Sequence, residues 1–166
     1  MNLYLLRHAE AIDTAKTDAA RYLTEKGVSQ AKTVGRFCRD NGIVPDIILT
    51  SPYVRAEQTA EIVARKTGAK LVRAPFLSSG MQPGEAFKEL DAYPNLSNVM
   101  LVGHEPDFSY FAATLLNLPE SRRLNLRKAS LTHLLLEHPG AGSATLQFIL
   151  PVKFMNSKSH VRSESL

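Results

Sequence analysis

One cysteine, Cys38, in 166 residues excludes an internal disulfide framework and any site built on several cysteines. No run of ~18 apolar residues occurs, so no membrane-spanning helix is expected. Residues 1–10 reach a charge at Arg7 and lack a basic lead followed by a long apolar stretch, which argues against a secretory signal. Walker-type Gly-Lys-Ser/Thr runs are missing. Gly140-Ala141-Gly142 lacks the third glycine and following helix of a dinucleotide fingerprint. His8-Ala9-Glu10 has the H-x-E of a zinc deaminase without its paired cysteines. Aromatic and basic residues are not interleaved, so a pI of 9.3 does not point to nucleic acid. The expectation is a cytoplasmic protein with neither nucleic-acid nor membrane partners.

What is present is ordinary globular composition, 44% hydrophobic and 22% charged, in a length that suits one domain. Such a chain buries a full core without staples. The net charge is +4. Half of that excess lies beyond Pro151, where Lys153, Lys158 and Arg162 face Glu164 in a Ser-rich end. Residues 1–152 are therefore read as the domain and 153–166 as a flexible basic tail. Arg122-Arg123 and Arg127-Lys128 form two further basic patches, read by default as solvated loop.

Short apolar runs bounded by turn residues alternate with helical patterns. Strands are predicted at 3–6, 46–50, 70–74, 99–102, 131–136 and 145–150. Helices are predicted at 24–41, 54–67 and 107–117, with Ala31, Val34, Phe37 and Cys38 on the apolar face of the first. Buried packing, not reactivity, is the expected role of Cys38. His133, His138 and His160 have no convergent partners in this pattern and are read as structural or solvated. The order is that of one α/β domain without internal repeat.

Three predicted strands end in, or just before, residues that handle anions or protons: Arg7-His8, then Arg55 beyond Ser51-Pro52, then His104. In open α/β sheets ligands bind beyond the carboxyl ends of strands, where helix N-termini also favour anions. Pro106 suits the first position of a helix, which sets His104 and Glu105 at its mouth. Two arginines and two histidines gathered there would hold a phosphate dianion, because guanidinium forks match its oxygens. A neutral imidazole can attack phosphorus and form a covalent intermediate. Fixed positive charge would stabilise the transferring group, so neither a metal nor another cofactor is expected.

Leu6-Arg7-His8-Ala9-Glu10, Ser51-Pro52-Tyr53-Val54-Arg55-Ala56-Glu57-Gln58-Thr59-Ala60 and Val102-Gly103-His104-Glu105-Pro106 resemble the three signature segments of the histidine phosphatase superfamily. Leu23-Thr24-Glu25-Lys26-Gly27 with Gln30-Ala31 resembles its first helix, and the likeness runs in order to about residue 150. The resemblance implies a single-domain, three-layer α/β/α sandwich with a mostly parallel central sheet, like phosphoglycerate mutase without the large cap insertion. Only about thirty residues, 70–98, separate the second signature helix from the strand before His104. Within the superfamily this compactness resembles SixA-type phosphohistidine phosphatases, and it implies phosphorylated proteins as substrates.

By the same resemblance His8 is the nucleophile, Arg7 and Arg55 clamp phosphate, and His104 is the second pocket histidine. Glu105 directly follows that histidine, where one branch carries its general acid. An acidic residue near a helix start is also favoured by the dipole alone, and Glu85 is the alternative acid. Ala9 stands where most relatives carry Gly, which is acceptable only at negative φ. Two other readings stay open: the same mechanism on a small phosphate ester, and a module that binds phosphate without turnover.

Overall fold

Leu3, Tyr4, Leu5 and Leu6 give an extended segment no polar face, and Asn2–Arg7 forms a strand (β1) buried on both sides. The computed structural model describes residues 1–120 and 124–155. In chain order the further elements are α1 (Glu25–Asp40), β2 (Ile47–Thr50), α2 (Val54–Thr67), β3 (Lys70–Arg73), α3 (Pro83–Asp91), β4 (Asn98–Gly103), α4 (Asp107–Leu115), β5 (Leu131–Leu136) and β6 (Ala144–Leu150). Short 3₁₀ turns lie at Asp18–Ala20, Pro75–Leu77 and Val152–Phe154.

One six-stranded sheet runs in the order β3-β2-β4-β1-β5-β6. Its first four strands are parallel, and β5 and β6 are antiparallel to their neighbours. Side chains of successive strand residues go to opposite faces. Leu3, Leu5, Ile47, Leu49, Val99 and Leu101 therefore pack in one core with Leu90 of α3 and Phe108 and Phe111 of α4. Tyr4, Leu6, Ile48, Met100 and Val102 pack in the other with Val34 and Cys38 of α1 and Ala60 and Val63 of α2. The result is the expected three-layer α/β/α domain. Cys38 is buried and its pKa is pushed up to about 12 by that burial, which leaves it inert at neutral pH.

The segment before β4 departs from expectation. Residues 83–91 fold as α3, although Pro83-Gly84 and only two fully apolar buried side chains beyond Pro83, Ala86 and Leu90, give it a weak helical pattern. Pro83 at its first turn and burial against α4 decide the matter. At α4, Pro106 is the N-cap and not the first helical residue; the helix begins at Asp107 as expected and ends at Leu115, two residues short of the expected Asn117, which takes a positive φ of 54°. At the C-terminal end, Val152–Phe154 forms a turn and Met155 is buried in the core on the α1 and α2 side. The folded chain thus continues past residue 152, because an apolar side chain at 155 gives it something to bury. Residues 156–166, with His160, and the Arg122-Arg123 pair lie outside the described residues. Among the described residues no helix is long and apolar enough to cross a membrane.

Candidate active site

Three adjacent strands, β2, β4 and β1, end at one edge of the sheet, with Arg7 in register with Gly103 and Thr50 with Val102. His8 extends the pairing by one residue, its N–H donating to Gly103 O at 3.0 Å. The first loop is then strapped to α1. Thr24 N–H donates to Glu10 O (3.0 Å), and Glu10 N–H donates to the Gln30 side-chain oxygen (2.9 Å). A Cβ at position 27 would stand 1.9 Å from Glu10 O, so this approach demands Gly27. Thr59, one turn along α2 from Arg55, donates its hydroxyl to Arg55 O (2.7 Å) and accepts from Ala9 N–H (3.1 Å). Ala9 is buried outside the positive-φ region, which is why alanine fits there.

The His8 ring has one consistent proton assignment. Its Nδ1–H donates to Ala9 O at 2.8 Å, and Arg55 Nε–H donates to Nε2 at 3.3 Å. Nε2 therefore carries the lone pair. Burial pushes the His8 pKa down to about 3, opposed by the Ala9 carbonyl and aided by His104, Arg55 and Arg7. The imidazole therefore stays neutral at neutral pH.

His104 is 2% exposed, with its ring centroid 5.3 Å from that of His8 and 4.9 Å from that of Tyr53. Its Nε2 meets Ser51 Oγ at 2.7 Å, while Ser51 Oγ already accepts from Tyr53 N–H at 3.2 Å. Ser51 can donate its own proton to Nε2, an arrangement that sets the His104 proton on Nδ1, a buried atom with no hydrogen-bonding partner among the described residues. Burial, with Arg55 beside it, pushes the His104 pKa down to about 4. Arg7 directs Nη1 to Leu126 O (2.9 Å), and its buried Nε has no partner among the described residues. Buried donors of this kind are costly unless an acceptor meets them. The structure brings Arg7, His8, Arg55 and His104 together. Among the described residues, no group of three or more His, Cys, Asp or Glu side chains could hold a metal ion.

Residues 3–78 match the histidine phosphatase superfamily (branch 1). An uncharacterized protein of Picosynechococcus sp. is 35% identical over 79% of this chain and 82% of its own length. The chain belongs to the histidine phosphatase superfamily. It is also similar to the mitochondrial serine/threonine-protein phosphatase Pgam5 of Drosophila willistoni, 27% identical over 95% of the chain, which spans 66% of that relative. Among solved structures, the protein histidine phosphatase SixA complexed with tungstate shares the fold with a TM-score of 0.83, at 23% identity, over 93% of this chain and 99% of that one.

The two candidate acids of this superfamily member are placed differently. Glu105 is half-buried at the mouth of α4 and accepts from Ser109 Oγ at 2.6 Å, while its Oε1 is buried without a partner among the described residues. Burial holds its pKa above the usual carboxylate range, against the opposing effects of Ser109 and Arg7. Glu85 is exposed in the first turn of α3, lining a hollow with Pro75, Phe76 and Met81. Asp18, which the sequence pattern did not single out, meets Arg55 directly: Nη1 donates to Asp18 O (2.6 Å) and Nη2 to Asp18 Oδ2 (3.0 Å). Nothing in local periodicity marks an exposed loop aspartate ten residues beyond His8 as part of the site.

Proposed function

We propose that this chain is a metal-independent phosphatase that removes phosphate from phosphohistidine on proteins through a phospho-His8 intermediate. The observation that carries this reading is the bare Nε2 of His8, fixed by the Ala9 carbonyl and faced by Arg55. In the first step Nε2 forms a bond to phosphorus as the substrate's P–N bond breaks and its imidazole leaves. The Nδ1–H stays on the Ala9 carbonyl, which offsets the positive charge the His8 ring acquires. In the second step water attacks phosphorus, the bond to Nε2 breaks, and phosphate departs. Arg7, Arg55 and the Nδ1–H of His104 supply fixed donors for the phosphoryl oxygens, work that is mostly positioning and electrostatics. An imidazole already protonated on its other nitrogen leaves neutral, so this substrate makes little demand on a general acid.

The openness of the site supports a protein substrate. Between β3 and β4 the chain makes only a 3₁₀ turn and the nine-residue α3, too little for a cap. Both named relatives described above carry names of phosphatases that act on proteins. A second reading, hydrolysis of a phosphate ester, is favoured by Glu105, whose raised pKa suits donation to an alkoxide.

The test is turnover of a phosphohistidine protein beside an aryl phosphate, in chelator, by wild type and His8→Ala. Preference for phosphohistidine that vanishes in the variant is the expected result. Efficient aryl phosphate cleavage without phosphohistidine turnover would move the substrate to esters and give Glu105 the acid's role. Phosphate binding with no turnover of either would leave a recognition module.

A further inference from the structure

The guanidinium of Arg55 presents two hydrogen-bonding edges: an end formed by Nη1 and Nη2, and a side formed by Nε and Nη2. One residue takes the whole end. Asp18 receives Nη1 on its main-chain oxygen at 2.6 Å and Nη2 on its carboxylate at 3.0 Å. The side edge is turned to His8, with Nε 3.3 Å from Nε2. Asp18 is itself tied down. Its other carboxylate oxygen accepts from Arg21 Nη1 at 3.0 Å, and Arg21 Nε reaches back to Ile12 O at 2.6 Å. Thr17 caps the turn by accepting from Ala20 N–H. Hydrogen bonds from Arg21 and Arg55 keep the Asp18 carboxyl below its usual range, so it is ionised at neutral pH. The two partners differ sharply in environment: the Arg55 side chain is 5% exposed and that of Asp18 is 56% exposed.

We infer that Asp18 is a positioning residue that holds the end of the Arg55 guanidinium, so that its Nε–Nη2 side faces a phosphoryl group transferring to His8. This inference rests on the reading of His8 as nucleophile. A long side chain has many rotamers, and a donor helps a transition state only when it is already aimed. Without the carboxylate, Arg55 keeps only the main-chain oxygen of residue 18 and can present its end instead of its side. Because Asp18 is mostly exposed and packs into neither core, it can be changed without opening a cavity.

The experiment compares Asp18→Ala, Arg55→Lys and the double variant. Asp18→Ala is expected to lower kcat on a phosphohistidine protein about 10- to 100-fold, with a smaller change in KM and an unchanged melting temperature. Lysine has no end edge to clamp, so Asp18→Ala is expected to add no further loss to Arg55→Lys. Inorganic phosphate binding, measured by calorimetry, is expected to weaken in Asp18→Ala and not in the double variant relative to Arg55→Lys. Unchanged kcat and phosphate affinity in Asp18→Ala, or losses that multiply in the double variant, would overturn the inference. Should Asp18→Ala melt early, Asp18→Asn, which keeps its shape but not its charge, gives the same comparison. Absence of turnover in wild type would remove the hydrolase reading alone, because the phosphate arm still reads the clamp.

Discussion

The two halves of the sheet are built to different rules. In the parallel half, β1, β2 and β4 are buried on both faces, and each runs out at the edge where Arg7-His8, Ser51 and His104 gather. In the antiparallel half, β6 is exposed from Thr145 through Gln147 and sends no side chain to the site. Among the described residues of the loop before β5, main-chain groups meet the site: Ala129 N–H donates to Arg7 O and His8 O, and Leu126 O accepts from Arg7. The difference follows from connection geometry. A parallel crossover returns each strand in the same direction, so carboxyl ends and helix N-termini collect at one edge. In the other half β5 starts at that edge, Leu131 pairing with Leu6, so the chain enters there as a loop; β6 ends at the same edge, Leu150 pairing with Leu131, but stands two strands away from β1.

Four measurements would sharpen or break this contrast, beginning with the largest effect. His8→Asn, at the end of β1, is expected to lower turnover by on the order of 10⁴-fold or more, while Phe148→Leu in β6 leaves it within a few-fold; comparable losses would end the division of labour. Next, Arg55→Lys is expected to cost about 10²–10³-fold in kcat/KM, since an ammonium lacks the planar fork; steady-state kinetics on the same substrate decides it. Third, chemical denaturation should separate the halves in stability. Leu101→Ala in the fully buried β4 is expected to cost about 2–5 kcal/mol, and Leu146→Ala, 38% exposed in β6, within about 0.5 kcal/mol.

The fourth measurement is of pH dependence. His8 and His104 have folded-state pKa values of about 3 and about 4, below the ordinary 6.5 of an unfolded histidine. Below pH 6.5 the unfolded chain binds protons that the folded chain refuses. Stability contributed by these neutral rings is therefore complete above that pH and is lost as pH falls toward 4 and then 3. Melting temperature is expected to drop over this window, and His8→Asn to flatten the slope; an equal slope in the variant would show that His8 is not held neutral.

Much of this organisation was readable in the chain. The α2 boundaries, 54–67, and those of β5, 131–136, agree with their apolar patterns. The four residues Arg7, His8, Arg55 and His104 were legible because each follows a recognisable strand by a few positions, and local pattern locates strand ends. Helix α3 was not, because its two buried apolar residues beyond Pro83 make a pattern too sparse to separate from a loop. Ser51 and Thr59 stood inside the quoted segments, yet their tasks as partner of His104 and tie to Ala9 depend on neighbours far away in sequence.

Sequence alone determined the six strands, the helices α1, α2 and α4 between them, and the types of side chain available for chemistry, because those depend on local periodicity and residue chemistry. Tertiary structure decided three further things. It set the His8 tautomer through the Ala9 carbonyl and Arg55, it turned Glu105 toward Ser109, and it set an exposed Asp18 on a buried Arg55. Each is a matter of distance and dielectric between groups far apart in the chain or constrained by the fold, and these quantities exist only once the sheet has brought its strand ends together.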